Sequence, residues 1–255
     1  MKFCVPTYIS FCIADAQIVF LDIRDLDDAG LQAHAYKALP IEKSYRLHRE
    51  LLGNEEPCWP GDDQLLTPSD EADEAFEEIL ECGLVTDDPS RGWVGRPFQS
   101  PKPATSLSDS DALLRGAALM PYAPGYFMAA RTAISLMPPD IEDGETFRKI
   151  STDLLERLRR RKALADQSGR PFDRERAGRL ALAARELRPW FDEKPDCTID
   201  ALIVIEFFAR YGLYPDWVFG VQANPLQAHC WVQQDDVVIN DAVDVVSQFT
   251  PIMSV

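Results

Sequence analysis

Three residues of this 255-residue chain have the types and the order that chemistry on a carbonyl needs: Cys197, His229 and Asp241. Asp196 suits a helix N-cap. Behind it Ile199, Leu202, Ile203, Val204, Ile205, Phe207 and Phe208 make the next turns apolar nearly all round until Gly212, which predicts a buried helix with Cys197 in its first turn. Unpaired N–H groups and the positive dipole end at such a start stabilise a thiolate and can donate to an oxyanion. A lone cysteine there reads by default as a small core residue; an imidazole and a carboxylate beside it change that reading. Trp217–Val221, Gln227–Gln233 and Val237–Asp241 carry strand signals. If the last two form a hairpin turning through Gln234, Asp235 and Asp236, His229 falls opposite Asp241, where the carboxylate can orient and charge-stabilise the imidazole. Cys230 then points to the other face, away from the triad, and reads as structural. His34 and His48 lie in the first half and read as surface or packing residues, so His229 is the histidine available to Cys197.

The elements around this set divide near residues 101–110, where SPKPATSLSDS is rich in Pro and Ser and reads as an extended, solvated linker. Residues 1–100 begin with a β-hairpin, Tyr8–Ile13 and Gln17–Ile23, broken at Asp15. Helices are expected from Pro40 to Leu52, and after Ser69 through Ala72, Phe76, Ile79 and Leu80 to the stop at Gly83. In residues 111–255, Pro121 and Pro124 favour two short helices over one long one before Met137. A further helix runs from Phe147 to Ala163, its basic run Arg157–Lys162 read as a solvated helix end.

Composition narrows the partners. A net charge of −16 excludes nucleic acid as an expected partner, because such binding rests on Lys and Arg neutralising phosphates. Asp and Glu outnumber Lys and Arg 20 to 9 before residue 106 and 22 to 17 after it, so the acidity is concentrated in the first part. Six scattered cysteines without a C-x-x-C pair suggest neither a zinc site nor a disulfide framework. No apolar run is long enough to span a membrane and the N-terminus lacks a signal-peptide pattern, so a cytoplasmic location is expected. No repeat, P-loop or G-x-G-x-x-G element is present.

At these residues the chain resembles a known family. Trp190-Phe191 through Cys197, Tyr211-Gly212-Leu213, Phe219-Gly220-Val221, Ala228-His229-Cys230-Trp231-Val232 and Asn240-Asp241 are similar to the B protein of lasso-peptide biosynthesis, a transglutaminase-like leader peptidase of microcin-type precursors. The separations of 32 residues from Cys197 to His229 and 12 to Asp241 match as well. The resemblance implies an α+β fold: a small winged-helix-like precursor-recognition domain, then a papain-like or transglutaminase-like cysteine peptidase domain. In that domain Cys197 is the nucleophile, His229 the general base and acid, and Asp241 the orienting group. For the N-terminal part, where Ile9–Cys12 and Ile18–Asp22 match, it implies that the leader adds as a strand beside the sheet and packs on a helix, with Phe20, Ile23, Phe76, Ile79 and Leu80 as leader contacts. The chain departs after Arg24, where members commonly carry an aromatic-containing strand and this chain has Leu26-Asp27-Asp28-Ala29-Gly30. The implied partners are a lasso precursor and an ATP-dependent, asparagine-synthetase-like cyclase that closes the macrolactam. ATP belongs to that cyclase; neither a cofactor nor a metal is implied for this chain.

Peptide-bond hydrolysis through a thioester is the leading function on these residues. Transglutaminase-like acyl transfer to an amine uses the same triad. Non-catalytic delivery of a precursor to the cyclase stands against an intact Cys-His-Asp set.

Overall fold

The computed structural model describes residues 3–24, 35–53, 58–59, 62–93, 95–107, 118–138, 144–167, 169, 171–190 and 196–255. The segment Leu26–Gly30, His34, Phe191 and the start of the helical stretch expected from Asp111 lie outside them. The chain divides into two compact units. One comprises Met1–Gln99, Val221–Ala228 and Thr250–Met253, and the other Ser100–Gly220, His229–Phe249 and Ser254–Val255.

In the first unit β1 (Val5–Pro6) precedes a three-stranded antiparallel meander, β2 (Ile9–Ala14), β3 (Gln17–Asp22) and β4 (Tyr36–Pro40). Asp15 and Ala16 take φ of 50° and 58°, the left-handed pair that a two-residue hairpin turn needs. That turn sets Phe11 opposite Phe20, and Leu21 then pairs with Tyr36. A third strand, carrying Tyr36, thus follows the divergent segment. A 3₁₀ turn at Ile41–Lys43 leads into α1 (Tyr45–Leu52), and α2 (Asp70–Glu81) starts where Ser69 Oγ accepts from the Ala72 N–H at 3.1 Å. β5 (Gly92–Trp93) returns to pair with β1. Phe11, Phe20, Leu47, Leu51, Trp59, Phe76 and Ile79 close one core. Burial of each such side chain is worth about 1.5–3 kcal/mol, which is what holds two short helices on a small sheet.

The second unit opens on β6 (Thr105–Ser106). These residues, expected in a solvated linker, instead pair in parallel with Val237 and Val238, because extended chain with free N–H groups satisfies them on a sheet edge. α3 (Ala123–Leu136) carries Pro124 in its first turn, where a missing N–H costs nothing. α4 (Gly144–Gln167) runs beyond Ala163, so its basic run is not terminal. Two of those cations are structural: Arg161 Nη1 meets the buried Glu206 at 2.7 Å, and Lys162 Nζ meets Asp216 at 2.9 Å and donates to the Tyr214 carbonyl at 3.0 Å. α5 (Arg174–Leu187), which sequence analysis did not anticipate, is capped by Asp173 and buries Ala177, Leu180, Ala181, Ala184 and Leu187 at helical spacing.

α6 (Cys197–Ala209) is the central helix, packed by α3 and α5 and buried from Thr198 through Phe208 apart from Ile199. Its end is set by Gly212, whose φ of +75° lets the Leu213 N–H turn back to the Phe208 carbonyl. The remaining elements are β7 (Asp216–Ala223), β8 (Leu226–Gln234), β9 (Val237–Val238), the short α7 (Val243–Val246) and β10 (Thr250–Ser254). The sheet order is β10-β7-β8-β9-β6.

Candidate active site

Asp196 Oδ1 accepts from the Ile199 N–H at 2.8 Å and caps α6, which fixes Cys197 as its first helical residue. The Cys197 and Thr198 N–H groups belong to the first turn of α6, whose donors have no intrahelical acceptor and are the kind of group that can serve an oxyanion. His229 comes from β8. Asp241 comes from a bend after β9, and here the structure corrects the expected hairpin register. The loop has two residues, Asp235 and Asp236, with Asp235 at φ 53°, so Gln233 pairs with Val238 and the ladder is shifted by one from the alignment that faces His229 with Asp241. Continued, that ladder would turn the two side chains to opposite faces. It does not continue: the Ile239 N–H still reaches the Val232 carbonyl at 2.8 Å, but the Val232 N–H goes to Asn240 Oδ1 at 2.8 Å instead of a backbone acceptor. The chain leaves the sheet at Asn240, and Asp241 swings to receive the His229 Nε2 proton at 2.6 Å.

With Nε2 committed to Asp241, Nδ1 is the ring nitrogen left to face Cys197, whose sulfur favours the charged imidazole. Cys230 also needs correction. It lies beside the start of α6, not away from the triad, and its thiol and N–H act as donors that favour the Cys197 thiolate. Its sulfur also approaches Thr198 Oγ1 at 4.0 Å. Those donors have a titration consequence. The Cys230 thiol foremost, and then His229 and the Cys230 N–H, outweigh burial and draw the Cys197 thiol from 9.0 down to about 4. Cys230, fully buried and next to that charge, is pushed well above its ordinary value and stays a thiol. Burial pulls His229 down, but Asp241 and Cys197 more than offset it and raise the imidazole from 6.5 to about 9. Asp241 is lowered although burial opposes this, since His229 and the Ala242 N–H, at 2.8 Å from Oδ1, favour its charged form. At neutral pH the arrangement is a thiolate–imidazolium pair oriented by a carboxylate, able to attack a carbonyl carbon and protonate a leaving amine.

The imidazole is flanked by Phe249 at 5.2 Å and Trp231 at 6.2 Å between ring centroids. Gly220 makes room for that packing: a Cβ there would lie 2.7 Å from Trp231 Cζ3 and 3.0 Å from Phe249 Cβ. Ser106 Oγ donates to the Asp241 carbonyl at 2.6 Å, so the misread linker helps to hold the triad loop. Asp200, Arg188 and Ser106 join these residues without a motif that singles them out. For Asp200 a signal existed, a carboxylate inside a helix that is otherwise apolar all round.

A model of the transglutaminase-like superfamily matches residues 146–254, a stretch that contains Cys197, His229 and Asp241. These residues form a transglutaminase-like domain. It begins inside α4 and ends in β10, and its superfamily commonly includes cysteine peptidases. No curated protein and no solved structure matches the chain.

The five residues expected to contact a leader lie in the first unit, in its interior. Phe20 is 0%, Phe76 and Ile79 1% and Ile23 4% exposed, so these side chains build the core and are closed to a partner. Leu80 alone of the five is half-buried, packed against the same cluster.

Proposed function

We propose that this protein is a cysteine peptidase that removes the leader from a ribosomally made lasso-peptide precursor in the cytoplasm, freeing the core N-terminus for a partner ATP-dependent cyclase. The observation that carries the reading is the His229–Asp241 contact at 2.6 Å beside a thiol at the start of α6, inside a transglutaminase-like domain. The Cys197 thiolate attacks the scissile carbonyl, and the N–H groups at the start of α6 receive the oxyanion. His229 passes its proton to the leaving amine, which is the N-terminus of the core, and the leader fragment remains as a thioester. His229 then takes a proton from water, and the resulting attack releases the leader and regenerates the thiolate. Asp241 keeps Nε2 protonated and Nδ1 toward the sulfur throughout.

A second reading, transfer of the acyl group to an amine, is supported by the superfamily match itself. Mass spectrometry of a precursor incubated with the wild type and with Cys197→Ala, with and without hydroxylamine, tests both. Hydrolysis predicts free leader and core from the wild type alone. Stable aminated leader in place of free acid at low amine concentration favours transfer, and cleavage by Cys197→Ala at the wild-type rate refutes both.

A further inference from the structure

Asp200 stands one helical turn after Cys197 on α6, and it is 4% exposed. Its carboxylate is fully engaged: Oδ1 meets Arg188 Nε at 2.9 Å and Oδ2 accepts from Asn240 Nδ2 at 3.0 Å. The other end of the same Asn240 amide accepts the Val232 N–H on β8 at 2.8 Å, three residues from His229. One side chain therefore joins the helix that carries the nucleophile, the strand that carries the imidazole and the bend that carries Asp241. It also performs the step that a continued ladder could not, ending β9 so that Asp241 turns to the His229 face. Asp200 and Asp241 line one pocket of about 220 Å³ with Arg188 and Tyr126, so two carboxylates stand near a thiolate with Arg188 as a neutralising cation. Burial raises Asp200 above its ordinary value, with Asp241 and Cys197 adding to the rise and Arg188 and Asn240 working against it.

We propose that Asn240, anchored by Asp200 and Arg188, is a positioning residue that sets Asp241 on His229 and so maintains the thiolate–imidazolium pair. This rests on the triad reading above. Asn240 touches no reacting atom. It acts by holding a hydrogen bond whose donor is Asn240 and whose acceptor is Asp200, and reversing the chemistry of either end breaks it. Asn240→Asp faces two carboxylates across that contact, whereas the exchanged pair Asp200→Asn/Asn240→Asp restores a donor facing an acceptor and keeps an oxygen for the Val232 N–H.

The test is the pH profile of Cys197 alkylation by iodoacetamide, localised by peptide mapping, in the full chain. It needs no peptide substrate, so it can fail while leader cleavage stands, and the reverse. Asn240→Asp is expected to move the acid limb up by about one pH unit, about tenfold slower alkylation below the limb. The exchanged pair should recover the wild-type profile, and in an Asp241→Ala background Asn240→Asp should add no further shift. A wild-type profile in folded Asn240→Asp overturns the proposal, as does a shift that persists undiminished without Asp241. If the single variant fails to fold, the exchanged pair decides: a wild-type limb supports the role, and a limb still displaced in that folded protein refutes it.

Discussion

Cys197 and Cys230 show how much a residue's role depends on its neighbours. Both stand at the start of α6, yet one is drawn down to about 4 and the other held above its ordinary value, so a single thiolate is expected. Cys197 and His229 are legible from residue type and order as the proposed nucleophile and base. The part played by Cys230 is not, since strand alternation fixes which face a side chain takes but not which helix terminus lies against that face. Activity should follow the pair. Below about 4 the thiolate takes a proton and attack is lost, and above about 9 His229 gives up the proton that the leaving amine requires. A bell-shaped kcat/KM with a broad plateau between those limits is expected from assays across pH. His229→Ala should show no measurable cleavage, and Asp241→Ala should lose about 10²-fold or more without being dead. Cys230→Ala should raise the Cys197 pKa and move the acid limb upward. Cys230→Ser keeps a donor and should stay closer to the wild type, which the same alkylation profile can read.

At the scale of elements, two helices and one strand-to-bend transition carry the site. Gly220 on β7 clears the space in which Trp231 and Phe249 flank His229. Gly220→Ala should therefore cost about 1–3 kcal/mol by overpacking and slow cleavage more than it weakens leader binding, measurable as a fall in kcat with little change in KM. Arg161 joins α4 to the buried Glu206 of α6. Its removal leaves an uncompensated carboxylate against the central helix, so Arg161→Ala should lower unfolding free energy by about 3–5 kcal/mol in urea titration. The hairpin, α1, α2 and α6 were legible because apolar spacing and caps such as Ser69 and Asp196 are local signals. The His229–Asp241 contact was expected for a reason that does not hold. A two-residue loop shifts the ladder by one, and the contact is recovered by Asn240, whose side chain replaces a backbone acceptor. The basic run and the Pro/Ser stretch were misread because pairing with distant partners, Glu206 for one and Val237 for the other, leaves no mark on local composition.

For the whole molecule, the proposed division of labour separates holding a precursor from cutting it. The acidity lies mainly before residue 106, 20 acidic against 9 basic residues, and this adds a mild attraction for a basic leader that salt weakens. Leader contacts cannot be the core residues Phe20, Phe76 and Ile79. For the proposed leader docking, the edge of β4, beside α2 through the Lys37–Glu78 ion pair, offers an added strand both a sheet and a helix. Full-length Cys197→Ala should bind a labelled leader with the wild-type Kd in fluorescence anisotropy, and the Kd should rise with salt. Loss of binding in that folded variant would contradict the separation.

The central claim is that Cys197 rests as a thiolate paired with His229. It is tested most directly by thiolate absorbance at about 240 nm, recorded across pH as the difference between the wild type and Cys197→Ala. The account predicts a rise centred far below the ordinary thiol range, near 4, that persists to neutral pH. A single rise near 9, the ordinary value for a free thiol, would contradict it.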